Sequence, residues 1–326
     1  MFWLIIFNEG RAQEAGPVMK GGVMFYTNVL RAAFAGTLLC ALVWAAPGAA
    51  QADGGYAGSE ACAGCHQEVA GAFSANIHSH ADKWASGYQG CESCHGPGAE
   101  HAAAGDPTKI RNPRKLDPEE ASAICLGCHF KGKLALWAGS THETRSLACV
   151  TCHSIHHGHG KNLQAADEKE ICARCHGDVR AAIWKNSHHP IREGKMTCTD
   201  CHNPHGTIAP KLIAAMTINE KCYECHAEKR GPFLFEHRPV MEDCTICHTA
   251  HGSNHKRLLV RKSEFLCQSC HSGSRHPGTT YATGNPAADG PTTFRSLNNR
   301  AVYRDCLNCH QNIHGSNHPS GVRFLR

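Results

Sequence analysis

The sequence repeats one short motif, Cys-x-x-Cys-His, and this motif contains almost all of its cysteines. The chain has 326 residues and 21 Cys, and only Cys40 lies outside a motif. The motifs are numbered one to ten in chain order, and their cysteines are Cys62, Cys65, Cys91, Cys94, Cys125, Cys128, Cys149, Cys152, Cys172, Cys175, Cys198, Cys201, Cys222, Cys225, Cys244, Cys247, Cys267, Cys270, Cys306 and Cys309. The histidines directly after them are His66, His95, His129, His153, His176, His202, His226, His248, His271 and His310.

This motif is the attachment signature of c-type haem. Two thiols add to the two vinyl groups of one porphyrin, and the adjacent imidazole binds the iron as its proximal ligand. Zinc ribbons also use Cys-x-x-Cys but need no His directly after it, and thioredoxin-like dithiols occur once or twice per chain in a βαβ context. Secreted disulfide frameworks rarely keep one fixed spacing. The sequence therefore predicts ten covalently bound c-type haems.

The composition agrees with an interior that is filled by cofactors. Aromatic residues are 7% and charged residues 19% of the chain, and large aliphatic side chains are sparse, so a conventional core would be thin. A net charge of +5 without a Lys/Arg cluster argues against nucleic-acid binding. We predict a mainly irregular, elongated multihaem cytochrome c with short α-helices and little or no β-structure. Helix starts are indicated at residues 117–120, 167–170 and 263–264.

The motifs are grouped in five tandem two-haem units, at about residues 60–115, 116–165, 166–215, 216–260 and 261–326. Each unit adds two further histidines, which gives ten candidates for the second (distal) ligand of ten irons, and so predicts coordination by two imidazoles throughout. The candidates are His78, His101, His142, His156, His189, His205, His237, His251, His276 and His314.

The spacing of these candidates constrains the haem that each one serves. His205 lies three residues after the proximal His202, and three extended residues span about 10 Å. That length does not reach around the porphyrin to its far face, so His205 must bind a neighbouring haem, as must His156 and His251. Six histidines remain, of which His318 could replace His314 and His80 could replace His78; the others are His157, His159, His188 and His255. Ligation of an iron by Met instead of His would be at most a minor exception, and Met196, Met216 and Met241 are the methionines available for it.

The amino terminus has the features of an export signal. An apolar stretch at residues 32–46 follows Arg31, and Ala50-Gln51-Ala52 supplies a cleavage site. We therefore predict a signal peptide at residues 1–52, with Met24 as a possible true start, and one exported decahaem domain at residues 53–326. Lipidation at Cys40 is the less favoured alternative, since Leu39 precedes it. The apolar stretch at residues 32–46 is shorter than the about 20 apolar residues that are needed to span a bilayer. No apolar stretch of that length follows it in the sequence, so no transmembrane helix is predicted.

Several longer sequence segments resemble a known family. These are CHAEKRGP at 225–232, FEHRPV at 235–240 and CLNCHQNIHGSNHPSG at 306–321. Over residues 60–326 the chain is similar to the periplasmic decahaem cytochromes of the MtrA/DmsE type, which include the MtoA and PioA relatives. The resemblance implies a periplasmic protein, bis-imidazole haems throughout, and insertion into an outer-membrane β-barrel of the MtrB type. It also implies electron transfer between periplasmic cytochromes and an extracellular cytochrome or mineral, in Fe(III) reduction or Fe(II) oxidation.

Two other functions fit a chain rich in this motif. Multihaem reductases need one haem with an open face, sometimes marked by Cys-x-x-Cys-Lys, which this sequence lacks. The supply of a second His for every iron therefore favours an electron carrier over an enzyme. A free periplasmic electron shuttle is the second alternative. The Gly-, Pro- and Asn-rich residues 277–305 are predicted to form an exposed loop.

Overall fold

The computed structural model describes residues 55–157, 160–271 and 305–325. The predicted signal peptide, His159, His276 and the loop at 277–304 lie outside the described residues. Contacts group residues 52–326 into one unit. In the described residues the α-helices are α1 (Ser59–Cys65), α2 (Gln67–Ser74), α3 (Glu92–His95), α4 (Ala99–Ala104), α5 (Pro118–Leu126), α6 (Cys149–Cys152), α7 (Glu168–Cys172), α8 (Gly177–Ala182), α9 (Ile218–Tyr223), α10 (Arg238–Glu242) and α11 (Ser263–Gln268).

Short 3-10 helices connect the α-helices, and the remainder of the described chain is irregular. No strand occurs there, and the β-type pairing consists of isolated bridges such as that between Ser187 and Ser253. The predicted fold class, mainly irregular with short α-helices, is confirmed for the described residues. The 3-10 helices are Ile77–Lys83, Pro107–Lys109, Pro113–Lys115, Gly132–Leu134, Glu143–Arg145, Gly160–Asn162, Cys198–Asp200, Pro210–Leu212, Ala227–Lys229, Cys244–Ile246, Lys256–Leu258, Cys306–Asn308 and Gly321–Arg323.

The helices that precede the odd-numbered motifs begin as the sequence predicts. Helix α5 has Asp117 as its N-cap and Pro118 in its first turn. At α7 the Asp167 side chain accepts a hydrogen bond from the Lys169 amide, 3.0 Å away. Helix α11 begins at Ser263, with Glu264 in its first turn. The five helices α1, α5, α7, α9 and α11 each contain the first Cys of an odd-numbered motif, which places that thiol on a rigid element.

Few side chains are buried in the described residues. The buried apolar residues are mostly alanines, with Trp137, Ile171 and Ile183 as the large ones, and no large side chain is completely enclosed. Large apolar side chains such as Trp84 and Phe130 remain more than half exposed. This distribution agrees with a chain that does not build its core from its own side chains. Over the same residues, none of the helices is both long enough and apolar enough to cross a bilayer.

Candidate haem-binding sites

Among the described residues, nine predicted proximal histidines each lie beside one predicted distal histidine. The ring centroids of these pairs are 5.7 to 6.3 Å apart. An iron held by two imidazole nitrogens at about 2 Å each separates the ring centroids by about 6 Å, so the pairs have the spacing that the group requires. The pairs are His66 with His101, His95 with His156, His129 with His78, His153 with His205, His176 with His142, His202 with His251, His226 with His189, His248 with His314 and His271 with His237.

The pairs connect consecutive units in a regular crossed pattern. The first distal candidate of a unit lies opposite the first motif of the next unit, as His142 does opposite His176. The second distal candidate lies opposite the second motif of the preceding unit, as His205 does opposite His153. At the start of the row His101 instead lies opposite His66 of its own unit. His310 of motif ten has its predicted partner, His276, outside the described residues.

The thiols of neighbouring motifs lie together in chain order. Within every unit the first cysteines of the two motifs are close neighbours. Between units the second cysteines are neighbours: burial raises the pKa of the Cys94 thiol, and the thiol of Cys128 adds to that increase. The attachment sites therefore adjoin one another alternately within and between units. The neighbouring first cysteines are Cys62 with Cys91, Cys125 with Cys149, Cys172 with Cys198, Cys222 with Cys244 and Cys267 with Cys306.

Burial favours the neutral form, which binds metals, in six of the distal candidates. Loss of hydration disfavours the charged ring and is the largest cause of each shift. It lowers the pKa of His314 to about 4, with the charge of Lys229 as the next cause. The same cause lowers the pKa of the other distal candidates for which a shift is resolved, which are His78, His156, His205, His237 and His251.

Backbone carbonyls orient the proximal imidazoles of the even-numbered motifs. Each ring donates its Nδ1 proton to a carbonyl of the chain that folds back over the motif, which leaves Nε2 unprotonated and able to bind a metal. After motifs four, six and eight the returning chain forms an isolated bridge to the same His, such as that between His202 and Ile213. The donors and acceptors are His95 to Arg111 at 2.8 Å, His153 to Lys161 at 3.2 Å, His202 to Lys211 at 2.9 Å, His248 to Arg257 at 2.8 Å and His310 to Arg323 at 2.5 Å.

In units two and three the first distal candidate is oriented by the next unit. His142 donates from Nδ1 to the carbonyl of Pro204, and His189 to that of Ala250, each at 2.8 Å. In both cases the acceptor directly precedes the second distal histidine of the next unit. Unit one departs from this rule, because the Asn76 side chain is inserted between His78 and the next unit. Its Oδ1 lies 3.0 Å from His78 Nδ1, and its Nδ2 donates to the carbonyl of Ile155 at 3.0 Å.

A glycine follows several of these distal histidines because two units approach closely there. A Cβ on Gly206 would lie 2.0 Å from the carbonyl oxygen of Leu136, and one on Gly252 would lie 1.9 Å from that of Ala182. Both glycines have positive φ angles, 124° and 155°. The repeated His-Gly was visible in the sequence, but its cause is a contact with the preceding unit that no local pattern indicates.

The histidines left over from the pairing have other surroundings. His188 bonds through Nδ1 to the carbonyl of Lys185 and through Nε2 to Glu193. Nδ1 of His318 accepts the amide proton of Ser320. His314, rather than His318, lies opposite His248, and His78, rather than His80, lies opposite His129.

Comparison with known proteins identifies multihaem cytochromes as relatives of this chain. A family model for the doubled CXXCH motif matches residues 188–231 and 237–276, and a model for NrfB-like cytochrome c-type proteins matches residues 91–170. The "Multiheme cytochrome MtrA" of Shewanella baltica is 39% identical over 286 residues, which cover 84% of this chain and 84% of that protein. The "High-molecular-weight cytochrome c" of Nitratidesulfovibrio vulgaris is 25% identical over 153 residues, 46% of this chain and 25% of that protein.

A likeness among solved structures is to an undecahaem cytochrome from the S-layer of Carboxydothermus ferrireducens. It has 22% identity and covers 73% of this chain and 32% of that one. Its TM-score of 0.14 is too low to support any structural argument. The relatives and the family models together show that covalently attached c-type haems and electron transfer are properties of this chain.

Proposed function

Because the chain belongs to the MtrA family of multihaem cytochromes, we propose that it carries electrons across the outer membrane inside a β-barrel partner of the MtrB type. In this function it links periplasmic electron carriers with an extracellular donor or acceptor, in Fe(II) oxidation or Fe(III) reduction. The single observation that supports it most strongly is the crossed row of imidazole pairs, which repeats from unit to unit along the described chain. The haem irons, when bound, supply the one-electron chemistry.

Ten haems are proposed, each attached through the two cysteines of one motif. The nine imidazole pairs described above are the axial ligands of nine irons, and His310 and His276 are those of the tenth. The chain's own contribution is to fix the rings. Backbone carbonyls hold Nδ1–H of His202 and His142, and burial keeps His205 and His314 neutral.

A carrier is favoured over an enzyme by the same pairs. A multihaem reductase needs an iron with one face open to its substrate. In the described residues each proximal histidine from His66 to His271 has a second imidazole within 6.3 Å between ring centroids. This arrangement gives a substrate no open position at those nine irons.

A barrel partner is supported by homology and by the character of the exterior. The relative over 84% of the chain is an MtrA cytochrome, and a partner of the MtrB type is proposed on that basis. Lys and Arg number 33 and Asp and Glu 28, and most of those in the described residues are exposed. A surface with interspersed charges of both signs suits the polar lumen of a wide barrel and not contact with lipid.

The experiment is reconstitution of the full chain with the barrel protein in liposomes that contain a reduced dye. Ferric citrate added outside is expected to oxidise the dye, because electrons pass through the complex. A matched variant, Cys172→Ala with Cys175→Ala, removes the attachment of one haem near the middle of the row and is expected to abolish that oxidation. Isolation of the chain as a free monomer that never associates with the barrel would instead support a periplasmic shuttle.

A further inference from the structure

The five carbonyls that accept Nδ1–H of the even-numbered proximal histidines all belong to basic residues. These residues, called the basic turns below, are Arg111, Lys161, Lys211, Arg257 and Arg323. A carbonyl is chemically the same in every residue type, so the hydrogen bond itself does not require a basic side chain. Lys and Arg are 33 of 326 residues, and five basic residues at five equivalent positions are therefore not expected from composition.

Three of the basic turns have a backbone conformation that disfavours such side chains. The φ angles of Lys161, Lys211 and Arg257 are 61°, 58° and 60°. This left-handed region costs energy for any residue with a Cβ and is usually occupied by Gly, Asn or Asp. A glycine would supply the same carbonyl without that cost. The presence of Lys or Arg therefore indicates that the side chain contributes something that glycine does not.

The side chains of the basic turns are exposed, so packing is not their contribution. Lys161 has a side chain that is 70% exposed, with the Glu168 carboxylate 3.6 Å from its Nζ. Arg111 reaches back over motif two, since its Nη2 lies 2.8 Å from where a Cβ of Gly96 would be. The odd-numbered motif seven differs, because Nδ1 of His226 faces the carboxylate of Glu228 at 4.0 Å. Each basic turn thus joins a basic residue to the proximal ligand of an even-numbered motif through its carbonyl, and at motif two the guanidinium itself lies over Gly96, next to His95.

We propose that the basic turns are positioning residues which raise the reduction potential of the second haem in each unit. Reduction adds an electron to the haem, and a nearby fixed cation stabilises the more negative state. The backbone carbonyl orients the imidazole, and the side chain supplies the charge. The proposal rests on the haem ligation given under the proposed function, and it adds that potentials alternate along the row.

The experiment is a spectroelectrochemical titration of the full, haem-loaded chain in which all five basic turns are replaced by Gln. The backbone carbonyls remain, so the imidazoles stay oriented. Half of the absorbance change is expected to move to lower potential while the other half stays in place. The matched control replaces five exposed basic residues outside the turns, namely Lys83, Lys115, Lys185, Lys195 and Arg261, and is expected to titrate as the wild type does.

Titration curves of the two variants that superimpose would overturn the proposal. If the fivefold variant loses haem, two single variants, Lys211→Gln and its control Lys195→Gln, are titrated instead. About one tenth of the absorbance is expected to move to lower potential in Lys211→Gln and none in Lys195→Gln. The haem content and the spin state of the wild-type protein are measured on the samples used for its titration. A wild type with missing haems or a high-spin iron would contradict the ligation itself, an outcome distinct from unchanged potentials.

Discussion

The Nδ1 atom of His142 lies 2.8 Å from the carbonyl oxygen of Pro204, across the boundary between the second and third units. Pro204 directly precedes His205, whose ring lies 6.0 Å from that of His153 in the second unit. His142 itself lies 6.2 Å from His176 in the third unit. One hydrogen bond therefore joins the places where each unit presents a ring to a motif of the other, and the arrangement of the two units is reciprocal.

Replacement of His205 by Ala tests this exchange. Motif four, in the preceding unit, is expected to lose its second ligand, since His153 lies opposite His205. One high-spin ferric haem per chain should appear in the electron paramagnetic resonance spectrum.

A second change identifies that haem. Removal of motif four by Cys149→Ala and Cys152→Ala in the His205→Ala background is expected to abolish the high-spin signal. Removal of motif six by Cys198→Ala and Cys201→Ala is expected to leave it. The opposite result would place His205 on the haem of its own motif.

Substitution of Gly206 by Ala is expected to separate the second and third units. The added Cβ would lie 2.0 Å from the carbonyl oxygen of Leu136, so the backbone must move. Such overpacking lowers the free energy of unfolding by about 2 kcal/mol. The measurement is the guanidinium unfolding midpoint, followed by haem absorbance.

Gly194→Ala is the matched control for backbone strain. Gly194 has a φ of 70°, but a Cβ there meets nothing within 4 Å. Equal destabilisation in the two variants would mean that the positive φ angle, rather than contact between units, determines the effect at Gly206.

Glu92 is expected to stabilise the chain in a pH-dependent way. Its side chain is buried and accepts hydrogen bonds from the amides of Ala57, Gly58 and Gly98 at 2.8 to 2.9 Å. Burial raises the pKa of this carboxyl, but the three donors outweigh burial and hold the pKa below its usual value of 4.5. Glu92→Gln should lower the free energy of unfolding by about 2 kcal/mol at pH 7.

The sign of the pH dependence follows from that lowered pKa. The unfolded carboxyl takes up a proton first as the pH falls, so the stabilisation is complete above about pH 4.5 and is lost as the pH falls through the folded pKa. The difference between wild type and Glu92→Gln should therefore shrink in acid. The exposed Glu60 provides a control, since Glu60→Gln should change stability by less than about 0.5 kcal/mol at either pH. A constant difference for Glu92→Gln would contradict the role of its charge.

Replacement of His314 by Met should raise the potential of a single haem. The ring of His314 lies 6.1 Å from that of His248, so the change is expected at motif eight. Methionine as an axial ligand stabilises the reduced iron relative to imidazole. Potentiometry should show about one tenth of the absorbance moving to higher potential. The neighbouring His318→Met is the control, and a shift with that variant instead would exchange the roles of the two histidines.

The helix starts could be predicted from the sequence because they depend on local residues, and the attachment sites are predicted from equally local motifs. Ten motifs are complete within five residues each, and the start of α5 is specified by Asp117 and Pro118. The choice of distal partner could not be predicted in the same way. His205 and His153 are brought together by contacts between units, at Gly206 and Pro204, that have no local signature.

Two further features of the sites were present in the sequence but had no evident meaning there. Lys211 and Arg257 follow their motifs at the same distance, yet only the fold places their carbonyls against Nδ1 of His202 and His248. Asn76 looks like an ordinary helix cap, and it does accept the amide proton of His78. Its bridge to Ile155 depends on the docking of the next unit.

Spin quantification of the fully oxidised wild type tests the central claim most directly. Each iron with two imidazole ligands gives a low-spin ferric signal. The account predicts ten low-spin, bis-imidazole haems per chain in the combined paramagnetic resonance and near-infrared magnetic circular dichroism spectra, with no high-spin component. Fewer than ten haems, or a measurable fraction of high-spin iron, would contradict a continuous row of imidazole-capped haems.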